Sequence, residues 1–179
     1  MTIAKATFAG GCFWCTEAVF RQLEGVTAVM PGYIDGHLAD PDYENVCRGN
    51  SGHAEAIELH YAPDTISYTT LLQVFFLTHD PTTPNRQGND IGTQYRSGIY
   101  THSDSQQQEA LDMIRQLDSS GDYPAAIVTE VKPASHFYPA ESYHHDYYQR
   151  NQSAGYCQVV ISPKLHKLYR TVPGLLKTS

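Results

Sequence analysis

Apolar and polar positions alternate or recur along this chain in runs short enough to assign one by one. Lys5-Ala6-Thr7-Phe8-Ala9 reads as a strand and is followed by two glycines, Gly10-Gly11. From Cys12 onward the spacing changes to helical: Cys15, Val19 and Leu23 fall at i, i+4 and i+8 with Ala18 beside them, and Gly25 is the expected stop. Val26 to Ile34 predicts a second strand. In Ala54 to Tyr61 the alternation puts Glu55, Ile57, Leu59 and Tyr61 on one face and Ala56, Glu58 and His60 on the other, so a carboxylate shares its face with apolar side chains.

Ser67 is the expected N-cap of a helix carrying Leu71, Leu72, Val74, Phe75 and Phe76, which must end before Pro81. Gln94 to Tyr100 predicts a strand. Ser103, with Gln106 three residues later, fits a capping box for a helix through Ala110, Ile114 and Leu117 that stops at Gly121. Ile127 to Val131 and Cys157 to Ile161 read as further strands, and Pro139 to Arg150 as a short aromatic-rich helix. Two turn-rich segments, around Asp35-Gly36-His37 to Asp42 and from Asp80 to Asp90, are long enough to carry function. Strands and helices are mixed without a regular βαβ series, which predicts an α+β domain with a mixed sheet covered by helices. No repeat or linker divides the 179 residues, so one catalytic domain is expected, with a basic tail over roughly 163–179.

Charge and cysteine usage narrow the chemistry. A net charge of -7 argues against nucleic-acid binding, and no apolar stretch approaches a membrane span. Four cysteines, Cys12, Cys15, Cys47 and Cys157, are too few and too uneven for a secreted disulfide framework; a reducing, cytoplasmic setting and chemical use of a thiol are expected. Cys12 follows the Gly-Gly turn at a predicted helix start, where unpaired N–H groups and the helix dipole favour the thiolate nucleophile. Phe13 and Trp14 beside it serve equally well as core anchors or as the walls of an apolar pocket.

Cys15 completes a C-x-x-C with Cys12 yet also lies on the apolar stripe, and Cys47 carries no activating feature, so it is read as structural. Glu55, if its apolar face is closed over, would be held neutral and able to donate a proton. His144 and His145 diverge by roughly 100° on a helix and read as a solvated face rather than a metal pair.

Gly-Cys-Phe-Trp at 11–14, Gly-His-Ala-Glu at 52–55, and Arg86-Gln87-Gly88-Asn89-Asp90 with Gly92-Thr93-Gln94-Tyr95-Arg96-Ser97 together resemble the class A peptide methionine sulfoxide reductases, with further similarity at Phe137-Tyr138-Pro139-Ala140-Glu141. The resemblance implies a ferredoxin-like two-layer α/β sandwich and reduction of the S epimer of methionine sulfoxide, free or in proteins. In it Cys12 attacks the sulfoxide sulfur, and Phe13 and Trp14 hold the methyl group. Glu55 protonates the oxygen, Tyr43 and Tyr95 hydrogen-bond to it, and Asp90 orders the polar side.

A sulfenic acid on Cys12 would then be resolved by a second thiol. Cys157 matches the family's resolving position and is preferred to Cys15. Thioredoxin is the implied reductant, with no metal or organic cofactor, and the protein is expected to work as a monomer. The family often has glycine where this chain has Cys15, and a glycine-rich tail with a further cysteine that is absent here after Cys157. Two other readings of the same residues are a general thiol-disulfide oxidoreductase using Cys12 and Cys15, and a cysteine-based metal-binding module.

Overall fold

A computed structural model describes residues 2–178. In chain order its elements are β1 (Ala4–Gly10), α1 (Phe13–Phe20), β2 (Val26–Ile34), α2 (Tyr43–Cys47), β3 (Ala54–Tyr61) and α3 (Tyr68–Leu77). There follow the short pair β4 (Arg86–Gln87) and β5 (Asp90–Ile91), then β6 (Ser97–Thr101), α4 (Asp104–Ser120), β7 (Glu130–Pro133), β8 (Tyr138–Pro139), α5 (Tyr147–Arg150) and α6 (Ser162–Thr171). The main sheet has the order β7-β6-β1-β3-β2-β8, antiparallel throughout except for the parallel pair β6 and β7. The expected α+β class and mixed sheet are what the molecule has.

The alternation in β3 does what its pattern predicts. Ile57 and Leu59 enter the large core beneath α1 and α3, while Ala54 and Ala56 enter a smaller cluster on the other face with Ala9, Ile34 and Tyr100. Phe8 of β1 sits at the centre of the large core, its ring 5.4 Å from Phe20 of α1 and 5.0 Å from Phe75 of α3. Burial of these aromatic faces fixes both helices on the same side of the sheet, and Glu55 faces them. The expected caps are present: Ser67 Oγ accepts from Thr70 N, and Ser103 Oγ accepts from Gln106 N at 3.1 Å. Gln106 Oε1 in turn accepts from the N–H of His102, and Gly121 closes α4 in the left-handed conformation.

Several boundaries differ from the pattern, each for a local reason. Helix α1 ends at Phe20 rather than at Gly25, and Leu23 instead bridges to Leu176. The segment from Gln94 begins as a 3-10 turn, Thr93–Tyr95, before β6, because the Arg96 guanidinium draws that turn in by bonding Thr93 O, Asp35 and Gly52 O. Ile127 and Val128 do not join the sheet, since their N–H groups are taken by Asp118 and by Pro81 O; pairing starts at Glu130. Pro139 to Arg150 is broken into a 3-10 turn (Ser142–His144) and α5 by Asp146, which has φ 57°.

Cys157–Ile161 is a π-helical turn continuing into α6, not a strand; the β-branched run suggested extension, but Pro163 in the first turn of α6 and the bond from Gln158 N to Ala154 O carry helical backbone through it. The basic tail is likewise no tail. Leu165 and Leu168 of α6 are buried, and Glu24 N and Lys177 N pair with Leu175 O and Gln22 O, lacing the C-terminal segment to the turn after α1. Among the described residues no helix is long and apolar enough to cross a membrane.

Candidate active site

The site is built where β1 turns into α1. Gly11 has φ 95°, and a Cβ there would fall 2.7 Å from Gln87 Cγ, so the turn tolerates only glycine at this point. Gln87 is itself fixed, its amide donating to Asp80 O and accepting from Asp80 N. The turn delivers Cys12 as the N-cap of α1, with extended backbone (φ -59°, ψ 128°) and 8% exposure.

One residue on, the Phe13 N–H donates to Oε1 of Glu55 at 3.1 Å. Glu55 is 1% exposed, and its Oε2 is buried with no hydrogen-bond partner. Burial, joined by the charges of Asp90 and Cys15 and opposed by the Phe13 amide, pushes this carboxyl up to about 8. It is therefore mostly protonated at neutral pH, and its free oxygen can deliver a proton.

Tyr43 opens α2 and Tyr95 closes the 3-10 turn. Burial raises both phenols well above their ordinary range, with the Cys47 thiol adding to the shift at Tyr43 and the Glu55 charge at both, so each stays an O–H donor. Tyr43 is anchored through its backbone N–H, which donates to Glu141 Oε2 at 3.0 Å; the hydroxyls of Tyr33 and Tyr143 bind the same carboxylate at 2.8 and 3.1 Å. Those bonds hold Glu141 below its ordinary value against the opposing effect of burial. Phe13 is wholly buried against Tyr33 and Tyr43, and Trp14 stacks on Tyr147 with ring centroids 3.7 Å apart.

The thiols Cys12 and Cys15 line a cleft of about 630 Å³ together with Asp90, Tyr156 and Lys164. The expectation that the helix start makes Cys12 the thiolate is not met. Burial, the hydrogen-bonding Cys15 thiol and the Glu55 charge raise Cys12 well above its ordinary value, outweighing the Trp14 amide. Cys15 is lowered, first by Cys12 and then by Lys164 and Tyr156, against its burial. Of the two buried thiols, Cys15 is thus the more readily ionised. Asp90 accepts from the Tyr156 hydroxyl and so stands on the Cys15 side. Cys157 is 0% exposed and is raised by burial, with the Cys15 charge adding to the shift; Cys47 is exposed.

Of the residues singled out in the sequence, Cys12, Glu55, Phe13, Tyr43 and Tyr95 converge, while Trp14 and Asp90 flank them beneath the C-terminal segment. The pattern missed three. His144 is not on a solvated face: it is 1% exposed, because the break at Asp146 turns it inward, and it accepts a hydrogen bond from Trp14. Glu141 stands in the stretch of further family similarity and Tyr156 beside Cys157, but neither takes a role from the pattern, since their partners, Tyr43 and Asp90, are distant in sequence. Among the described residues no three His, Cys, Asp or Glu side chains group as a metal-ion set.

Two buried thiols beside a desolvated carboxylic acid and neutral phenols define a thiol oxidoreductase site. The family model described as peptide methionine sulfoxide reductase matches residues 4–174, and the chain belongs to that family. It is 54% identical over 173 residues to the peptide methionine sulfoxide reductase MsrA of Chromobacterium violaceum, covering 97% of this chain and 98% of that protein. The MsrA of Deinococcus radiodurans is 54% identical over 164 residues, 92% of this chain and 80% of its own. Among solved structures, reduced Mxr1 from Saccharomyces cerevisiae superposes with a TM-score of 0.79 at 34% identity, covering 87% of this chain and 89% of that one. Mxr1 in complex with Trx2 matches with a TM-score of 0.56 at 25% identity, covering 81% and 84%.

Proposed function

We propose that this protein reduces the S epimer of methionine sulfoxide, free or within proteins, by thiol chemistry at Cys12. The observation that carries the reading is Glu55: a carboxyl raised to about 8, tethered by one oxygen to Phe13 N and unpaired at the other, one residue from the nucleophile. General thiol-disulfide exchange needs no such acid, whereas expelling a sulfoxide oxygen does. The Cys12 sulfur attacks the sulfoxide sulfur as Glu55 passes its proton to the oxygen, with the Tyr43 and Tyr95 hydroxyls as further donors, and the proton that the Cys12 thiol gives up restores Glu55. Transfer of the oxygen to Cys12 leaves a sulfenic acid and releases methionine. A second thiol displaces water from that sulfur and forms a disulfide, which an external dithiol reduces.

Cys15 is the better first resolver. Its N–H donates to the Cys12 carbonyl at 3.0 Å, in the first turn of α1, and its thiol is lowered, while Cys157 is wholly buried and raised and stands second in line. Phe13 and Trp14 are assigned to the substrate's methyl group and Asp90 to its polar side. The Mxr1 complex with Trx2 supports a thioredoxin as the dithiol. The order β6-β1-β3-β2, reached through β1-α1-β2-β3-α3-β6, supports the finer reading of the sandwich as ferredoxin-like. The whole chain is read as one monomeric catalytic domain, and its free thiols suit a reducing cytoplasm.

The test is consumption of racemic methionine sulfoxide with a dithiol, followed by chiral chromatography. Reaction stopping at about half, with only the S epimer gone, is expected of one fixed methyl pocket and one oxygen site; consumption of neither or both epimers overturns the reading.

A further inference from the structure

Cys47 is the exposed member of the four cysteines; Cys12, Cys15 and Cys157 are buried. It closes α2, the helix that Tyr43 opens, so the two side chains stand at i and i+4 on one face. They act on each other: the thiol adds to the rise of the Tyr43 phenol, and the hydroxyl lowers the thiol. The Cys47 carbonyl accepts from Gln94 Nε2 at 3.4 Å, which ties it to the 3-10 turn that carries Tyr95. A free thiol at the surface is thus fastened to both phenols assigned to the sulfoxide oxygen. Gln94 supplies a second observation. It is 5% exposed, and its Oε1 is buried with no partner. A Cβ on Gly92 would fall 2.3 Å from that oxygen, so glycine there leaves it uncovered. A buried acceptor without a donor calls for an explanation, and an amide N–H brought in by a group attached to Cys47 is one.

We propose that Cys47 is a covalent modification site for small peptidic disulfides: the attached group obstructs the Tyr43 and Tyr95 hydroxyls, and the Gln94 oxygen accepts one of its amide N–H groups. The loss of activity rests on the proposed reaction; the attachment does not. The Cys47 thiolate attacks one sulfur of the incoming disulfide, whose S–S bond breaks as the new one forms, and the departing sulfur takes up the proton that Cys47 released. Cys47 is thereby oxidised and the leaving half reduced, and a dithiol reverses the exchange. Burial raises the Cys47 thiol, with the Glu55 and Glu141 charges in the same sense and the Tyr43 hydroxyl opposed, so exposure rather than acidity selects it over Cys15. An oxidised pool of small thiols would in this way silence the enzyme without touching Cys12.

Glutathione disulfide is the probe. Peptide mapping of the parent after exposure, with excess probe removed, should place a glutathionyl group on Cys47. Single-turnover methionine release is read in Cys15→Ser/Cys157→Ser, which keeps Cys12 and Cys47 and so prevents the probe from oxidising Cys12 onto either of the other thiols. Release should be lost after treatment, return once a dithiol has removed the adduct, and be unaffected by treatment when Cys47→Ser is added. At a fixed ratio of disulfide to its own thiol, Gln94→Met should lower the equilibrium constant for the glutathionyl adduct about fivefold, the size of one hydrogen bond, and leave that of a 2-hydroxyethyl adduct unchanged.

An adduct on the other cysteines and not on Cys47, full methionine release from the Cys47 adduct, or an equal loss of release with Cys47→Ser present would overturn the proposal. Equal effects of Gln94→Met on the two adducts would overturn the amide contact. If no methionine is released before treatment, the reaction reading fails and takes the silencing with it, while mapping and the Gln94→Met comparison still decide the modification site.

Discussion

The hydroxyl of Tyr156 donates to Oδ2 of Asp90 at 2.6 Å, a bond between the C-terminal segment and β5. The Tyr156 hydroxyl oxygen is also 3.6 Å from Cys15 Sγ, and the residue after Tyr156 is the fully buried Cys157. A neutral donor on a carboxylate is among the stronger hydrogen bonds, and this one holds the π-helical turn down over both thiols.

Tyr156→Phe should therefore loosen that cover. We expect a stability loss of about 1–2 kcal/mol, the lower part of the range for a bond to a charged group because Tyr156 is only partly buried. Alkylation of Cys157 in the native protein should become faster. Unchanged protection of Cys157 would show that packing of Ile161 and Leu165, not the tether, keeps it covered.

Cys12→Ser should end methionine formation and leave the fold standing, since it replaces one sulfur in a position that is an N-cap, where serine is at home. Melting within a few degrees of the parent, with no product above background, is the expected pair of results. Residual turnover near the parental rate would move the nucleophile elsewhere.

Glu55 ties activity and stability together with opposite signs. Its carboxyl must be protonated to act, so single-turnover methionine release should fall as pH rises through about 8, and Glu55→Gln should lower it by about 100-fold or more at neutral pH. The folded protein keeps this proton up to about pH 8, whereas the unfolded chain releases it near the ordinary value of 4.5. Between those values the folded state binds more protons, so stability is lost as pH rises across the window, and the loss is complete above it. Glu55→Gln should accordingly melt above the parent by a margin that widens from pH 5 to 8. A constant margin would mean that Glu55 is not the titrating group.

These two residues also mark how far sequence reading reaches. Glu55 was legible because a period of 2 placed it among Ile57 and Leu59, and Cys12 because glycines and a change of period bracket it; both signals are local. The strand order, the burial of His144 and the anchoring of Tyr43 by Glu141 depend on pairings across about a hundred residues, such as Tyr43 with Glu141, which no local pattern encodes. Cys157 shows the opposite failure. Cys157-Gln158-Val159-Val160-Ile161 has the composition of a strand, but helical continuation into α6 overrides propensity, and Val159 ends 75% exposed. The electrostatic expectation for Cys12 failed similarly: the helix start contributes, but burial and a facing thiol outweigh it.

The same geometry decides the last prediction, which thiol resolves the sulfenic acid. A cysteine pair at i, i+3 inside a regular helix meets the Cα separation and χ₃ requirements of a disulfide poorly. Cys12 escapes that constraint because it is the N-cap, with ψ 128°, and only Cys15 lies within the first turn. In the reduced pair Cys15 is the more acidic partner, lowered first by Cys12; the Lys164 charge and the Tyr156 hydroxyl, which act in the same sense independently of the Cys12 thiol, still favour its thiolate once Cys12 has been oxidised. Cys157 is raised and wholly buried, which disfavours its thiolate, so we expect it to act after Cys15, by exchange with an already formed Cys12 to Cys15 disulfide. After one turnover without reductant, peptide mapping should find Cys12 linked to Cys15, and the same linkage should form in Cys157→Ser at a rate within about threefold of the parent. In Cys15→Ser, methionine should still be released, but the sulfenic acid should persist long enough to be trapped by dimedone. A Cys12 to Cys157 linkage forming in Cys15→Ser as fast as the parental disulfide would make Cys157 the direct resolver and leave Cys15 a spectator.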